Sequence, residues 1–158
     1  MRAELYTDGG CSGNPGIGGY ACVIRLIKGD DSVALLVSDF KEYTTNNHME
    51  LSAIVVGLRM LSNTDFSGRV KVTSDSSYCI NAFTKNWIAG WRRNNFKKNG
   101  KDMPNRELWV ELNELIKKFE DIEWVWVKGH NGHKYNEICD TYAVRSYQEK
   151  RKFFERIE

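Results

Sequence analysis

Hydrophobic and polar positions change rhythm several times along the 158 residues, and each change marks an element. Ala3 to Asp8, Tyr20 to Lys28 and Ser32 to Tyr43 are runs rich in Val, Ile, Leu, Phe and Tyr, bounded by Gly, Asn and Asp, as strands joined by turns are. Lys28-Gly29-Asp30-Asp31 reads as a turn, so the three runs predict an antiparallel meander. The period then lengthens. Leu51, Ile54, Val55, Leu58 and Leu61 recur at helical spacing behind the capping cluster Thr44-Thr45-Asn46-Asn47. A strand from Arg69 to Ser74 and a helix carrying Tyr78, Ile80 and Phe83 follow. Pro104 opens a further helix, predicted to reach about Phe119 with Leu108, Leu112, Leu115 and Ile116 buried. Ile122 to Lys128 is the last strand, and a final helix begins around Lys134. The tail, Ser146 to Glu158, sets Phe153, Phe154 and Ile157 among Lys and Arg and reads as that helix continued. The order of elements predicts a mixed α/β domain.

Four carboxylates interrupt this pattern. Asp8 is predicted at the end of the first strand, ahead of a segment that brings Ala3 to Gly19 six of the chain's thirteen glycines. Glycine admits approaches that a Cβ forbids, so something bulky is expected close to this backbone. Asp75 repeats the arrangement after the fourth strand, either as the N-cap of the next helix or at the strand end where ligands gather in open α/β sheets. Glu50 shares a helix stripe with Ala53, Ile54, Gly57 and Leu61, and Asp140 shares one with Ala143, Val144 and Tyr147. A carboxylate on an apolar stripe is costly unless paired. For Glu50 the alternative is a capping box with Asn47. Two acids at strand ends and two on sheet-facing stripes can converge in one cleft, where they would repel unless cations bridged them. Mg²⁺ suits such oxygen ligands together with substrate phosphates, and no Cys or His cluster competes for a softer metal. His130, on the Gly129-His130-Asn131-Gly132-His133 loop, is able to titrate near neutrality.

Composition narrows the class. A chain of this length with 41% hydrophobic residues is expected to form one domain. The net charge of +2 conceals a patch: Lys85 to Lys101 holds six Lys or Arg and no acid, interleaved with Trp87, Trp91 and Phe96. That mixture predicts a nucleic-acid surface, against the alternative of a solvated helix anchored by its tryptophans. Cys11, Cys22, Cys79 and Cys139 lack C-x-x-C spacing and are expected to be small buried or loop residues. The glycines match neither a P-loop nor a G-x-G-x-x-G turn. With no charged-then-apolar leader and no run of about 18 apolar residues, the expected location is cytoplasmic, with no membrane partner.

Several runs carry a resemblance. Tyr6-Thr7-Asp8-Gly9-Gly10 with Gly13-Asn14-Pro15-Gly16, Thr44-Thr45-Asn46-Asn47 with Met49-Glu50-Leu51, and Ser74-Asp75-Ser76 come first. Trp124-Val125-Trp126-Val127-Lys128-Gly129-His130 and Asn136-Glu137 with Cys139-Asp140 complete the series. In this order the chain resembles the type 1 ribonuclease H family, most of all its bacterial ribonuclease HI branch. The resemblance implies a five-stranded mixed sheet, three antiparallel strands plus two parallel additions, flanked by helices. It implies a catalytic domain over residues 1–147 with a basic handle at about 85–101, and leaves 148–158 as the C-terminal helical tail read from the residues themselves. It makes Asp8, Glu50, Asp75 and Asp140 ligands of two Mg²⁺ ions, with Mn²⁺ a substitute, and gives His130 a part in proton transfer or product departure. Asn14, Asn46 and Ser76 become readers of the RNA strand and Thr45 the holder of a DNA phosphate, with Trp87, Trp91, Arg92, Arg93, Lys97 and Lys98 along the handle. The implied activity is endonucleolytic hydrolysis of the RNA strand of RNA/DNA hybrids to 5′-phosphate and 3′-hydroxyl ends, by a monomer with no obligate protein partner. Ser77, Phe96 and His48 depart from the bacterial pattern, where Gln, Trp and Arg stand. The competing functions are a non-catalytic hybrid-binding module and a DNA nuclease of the same fold.

Overall fold

The three strands of the meander are longer than their hydrophobic runs. In the computed structural model, which describes residues 1–129 and 132–158, they are β1 (Arg2–Ser12), β2 (Gly16–Lys28) and β3 (Asp31–Thr44). The glycines beyond the predicted strand end at Asp8 are paired backbone: Gly9 lies opposite Tyr20 and Gly10 opposite Gly19. Next come α1 (Asn46–Ser62), β4 (Arg69–Ser74), α2 (Ser77–Thr84), α3 (Trp87–Arg93) and a two-residue hairpin, β5 (Lys97–Lys98) with β6 (Lys101–Asp102). The chain ends with α4 (Arg106–Leu115), a 3₁₀ turn over Ile116–Lys118, β7 (Asp121–Trp126), α5 (Lys134–Glu149) and β8 (Phe153–Arg156).

The main sheet has the order β7-β4-β1-β2-β3-β8, with β4 parallel to both β1 and β7 and the rest antiparallel. Side chains alternate between its faces. Cys22 and Ile24 join the core under α1, while Ala21 and Val23 join a second core under α5. The stripe expected on α1 is buried throughout. On α4 the centre of the buried face is Trp109 rather than Leu108, because the Tyr78 hydroxyl accepts the indole N–H at 2.9 Å and the ring can enter the core with its polar atom paired.

Two expectations are corrected together. The sheet has six strands, not five, and the tail is not a continued helix. Lys150, at φ 49°, ends α5 in the left-handed region, and the chain then reverses to pair β8 with β3 from Ser38↔Phe153 to Leu35↔Arg156. The outer edge of β3 would otherwise present unpaired N–H and C=O groups. Phe153 is 3% exposed and Phe154 60%, the alternation of a strand where helical spacing had been read.

Candidate active site

Asp8 is not the end of its strand, since β1 runs on to Ser12 against β2. What ends near Asp8 is the pairing on the other side: the β1–β4 ladder stops at Tyr6↔Thr73. Asp75 follows directly on the last residue of β4. The two carboxylates therefore flank the gap where neighbouring parallel strands part, the crevice in which open α/β sheets hold ligands.

Glu50 reaches the same place from α1. It makes no capping box: Thr45 is the N-cap of α1 and accepts from His48 N at 3.2 Å, while Glu50 Oε1 accepts the N–H of Gly9. That contact requires glycine. A Cβ on Gly9 would lie 2.4 Å from the carbonyl carbon of Met49 and 2.6 Å from Glu50 N, both backbone atoms that cannot turn aside. On the opposite face a Cβ on Gly19 would lie 2.1 Å from the carbonyl oxygen of Ala143 in α5, one turn from Asp140. The bulky neighbours expected around the glycines are thus the backbones of the two acid-bearing helices.

One oxygen each from Asp8, Glu50 and Asp75 lies within 4.8 Å of the others, and Asp8 and Glu50 are only 8% and 7% exposed. Asp140 lines the same opening with Asp8, Asp75, Asn46, Ala143 and Tyr147, in a cleft of about 350 Å³. Burial raises the Glu50 carboxyl well above its ordinary 4.5, and the Asp8 and Asp75 carboxylates push it further. Oxygens alone, held close against mutual repulsion, fit a hard divalent cation. Thiolates do not compete: burial pushes Cys22 up to about 12, and Cys79, Cys139 and Cys11, the cysteine that lines the cleft, upward as well.

The raised Glu50 value has a sign. The folded protein holds this proton more tightly than the unfolded chain, so without metal its contribution to stability falls as pH climbs from 4.5 toward the folded value. Glu50→Gln keeps an acceptor for Gly9 and is expected to stabilise the metal-free protein at neutral pH by about 0.5–2 kcal/mol. The gain should fade below pH 4.5. Thermal unfolding in chelator across pH measures it, and a Gln variant that melts lower at pH 7 would contradict the assigned strain.

The substrate-side residues fall into three groups. At the cleft, Asn14 Oδ1 accepts from Asn46 N at 3.1 Å, and Asn46 Oδ1 accepts from Cys11 N at 2.9 Å. A backbone N–H must meet the amide oxygen, so both amide NH₂ groups remain as the donating ends. Thr45 and Ser76 serve as N-caps, and the Ser76 hydroxyl, buried, accepts from Cys79 N at 3.2 Å. Along the handle, Trp87 is 44% exposed, whereas Trp91 turns edge-on to buried Trp109 at 4.8 Å and Phe96 is buried. Arg92, Arg93, Lys97 and Lys98 are exposed on α3 and the hairpin. His130 lies outside the described residues.

Sequence reasoning missed Gly9 and Gly19 as helix seats. It also missed Tyr78, which lines a second lobe of the cleft beside Asp8, Glu50 and Asp75 and accepts from both Trp109 Nε1 and Asn105 Nδ2. The glycines announced a close approach but not what approaches, which only the strand register and the helix positions reveal.

Known proteins agree with this geometry. The family model described as RNase H matches residues 1–148. Ribonuclease H of Caldanaerobacter subterraneus subsp. tengcongensis is 46% identical over 142 residues, covering 89% of this chain and 88% of the relative. Ribonuclease HI of Haemophilus influenzae is 43% identical over 147 residues, covering 91% and 88%. Among solved structures, LC9-RNase H1, a type 1 RNase H with the type 2 active-site motif, superposes with a TM-score of 0.84 at 28% identity, covering 96% of this chain and 74% of that one. LC11-RNase H1, solved in complex with an RNA/DNA hybrid, shares the fold at a TM-score of 0.65 and 19% identity, covering 91% and 98%. With its acids gathered at the parting of β1 and β4, the chain belongs to the ribonuclease H family and is by that membership an endoribonuclease.

Proposed function

We propose that this chain hydrolyses the RNA strand of RNA/DNA hybrids at internal phosphodiesters, leaving 5′-phosphate and 3′-hydroxyl ends. The observation that carries the reading is the convergence of Asp8, Glu50 and Asp75, three acids from separate elements, within 4.8 Å. Those three and Asp140 would hold two Mg²⁺ ions, which when bound supply an activated water and charge stabilisation for the leaving 3′ oxygen. The chain's own groups do the rest. The Gly9 N–H fixes the Glu50 carboxylate, and the free amide ends of Asn14 and Asn46 offer donors to acceptors on the RNA strand, the 2′-oxygen among them. His130 is assigned proton transfer or product departure, Thr45 a DNA-strand phosphate, and Trp87, with Trp91 behind it, contact with the DNA strand. Residues 1–147 form the catalytic unit in this reading, acting as a monomer.

The deciding assay compares labelled hybrid, duplex DNA, duplex RNA and single strands, with and without divalent metal, and identifies the product ends. Cutting of duplex DNA at the hybrid's rate would replace this reading with a DNA nuclease. Binding without cutting, in metal, would leave a hybrid-binding module.

The handle gives a separate prediction. Neutralising Arg92, Arg93, Lys97 and Lys98, all exposed, should weaken hybrid binding and flatten its salt dependence by roughly one unit of slope for each phosphate no longer neutralised. Titrations at several salt concentrations measure this, and an unchanged slope would return the segment to a merely solvated face.

A further inference from the structure

The tail beyond Lys150 runs back beside α5 and is fastened near both ends of that helix. Phe153 meets Tyr142 edge-on, with ring centroids 5.1 Å apart, and lies under the guanidinium groups of Arg145 and Arg151 at 4.7 and 4.4 Å. At the other end, Glu158 accepts from the Tyr135 hydroxyl and from Lys134 Nζ at 3.2 Å, in the first turn of α5. Its other carboxylate oxygen lies 3.4 Å from Ser32 Oγ and 3.8 Å from Arg25 Nε. Backbone bonds hold the same residues to β3: Ile157 N donates to Ala34 O at 2.8 Å, and Ala34 N to Glu158 O at 3.2 Å. Tyr135 is gripped from the sheet side too, by Tyr6 at 5.0 Å and by the Arg25 guanidinium at 4.8 Å.

The two spans match. From Tyr135 to Arg145 a helix rises about 15 Å. From Phe153 to Glu158 an extended chain covers about 16 Å. The segment from Phe153 to Glu158 is thus about as long as the stretch of α5 it spans, and Asp140 sits on α5 between the two fastenings.

We infer that the segment 153–158 is a positioning device for the catalytic cleft, holding α5 along the sheet so that Asp140 stays at the opening shared with Asp8 and Asp75. This rests on the reading of the cleft as the hydrolytic site. Glu158 and Tyr135 are positioning residues: among the described residues neither lines the cleft, and both act through the first turn of α5. A small displacement of one carboxylate is expected to act on turnover more than on binding, because the residues to which the proposed function assigns hybrid binding, Asn14, Asn46, Thr45 and the handle, lie on other elements.

The test uses Glu158→Ala, Glu158→Gln and Tyr135→Phe in the full chain. Glu158→Ala and Tyr135→Phe are expected to lower kcat for hybrid cleavage by about 5–20-fold with KM within about twofold. Glu158→Gln keeps an acceptor for the Tyr135 hydroxyl and is expected to recover most of the loss. Independently of turnover, amide exchange in the metal-free Glu158→Ala protein should quicken through residues 137–140, the first in α5 whose N–H groups have helical acceptors, while α1 is unchanged. A Glu158→Ala protein with wild-type kcat, whatever its Tm, overturns the inference. Failure of the wild-type chain to cut hybrid would instead sink the assigned activity, and the exchange measurement would then decide the clamp alone, unchanged exchange at residues 137–140 counting against it.

Discussion

Asp8→Asn is expected to lower divalent-dependent cleavage of hybrid by at least about 10³-fold, while hybrid affinity in the absence of cleavage changes by less than about threefold. The asymmetry follows from position. Asp8 is nearly buried at the gap between β1 and β4, where an oxygen of Glu50 and one of Asp75 lie within 4.8 Å of one of its own. The basic handle, which should supply most of the affinity, is built from other elements. Replacing one carboxylate with an amide keeps the volume and removes a charge that the proposed cation site would need. It also removes one of the two neighbouring charges that raise Glu50, so the metal-free variant should melt higher than the wild type as it loses activity. The same pair of outcomes is expected of Asp75→Asn. Activity retained in either variant would take that residue out of the site, and a lower metal-free Tm would show that its charge is compensated by partners other than the neighbouring acids.

Gly9→Ala is expected to be nearly as damaging by a different route. The added methyl would sit 2.4 Å from the Met49 carbonyl carbon and 2.6 Å from Glu50 N, so α1 must withdraw from β1 by about an ångström before the approach is tolerable. Overpacking of this kind costs about 1–3 kcal/mol. The same withdrawal breaks the Gly9 N–H bond to Glu50 and moves its carboxylate, for which a loss of about 10²-fold in kcat is expected. Gly10→Ala is the control for stability. Its methyl would find only Asn46 Oδ1, at an ordinary 3.7 Å, so its Tm should stay near wild type. Equal destabilisation by the two substitutions would mean that strand propensity, not the approach of α1, sets the cost.

Much of this architecture was legible in the residues. The meander, the buried stripe of α1 and the start of α5 all follow from period and capping, which are local properties. Glu50 and Asp140 were legible as carboxylates on apolar helix stripes, and Asp8 and Asp75 as acids at the ends of predicted strands. What could not be read was decided by partners far along the chain. Asp8 looked like a strand end because glycines follow it, yet those glycines pair with β2, and the opening arises from where β4 stops. The tail looked helical because Phe153, Phe154 and Ile157 fit either period, and the choice fell to the unpaired edge of β3, 108 residues before Ser146 at Ser38, with which it also shares a buried hydroxyl pair. Trp91, expected beside Trp87 along the DNA strand, is half-buried and meets Trp109 edge-on at 4.8 Å, a contact set by a residue 18 positions away.

The glycine seats bear on how such a protein can change over time. Where α1 rests on Gly9 and α5 on Gly19, main chain abuts main chain, and no side chain serves as a spacer. Leu, Ile and Val elsewhere in the two cores can therefore be exchanged by drift or by an engineer seeking heat tolerance, shifting the melting point while the acids keep their separation. Selection on the reaction would bear on a pair of residues that have no side chain at all.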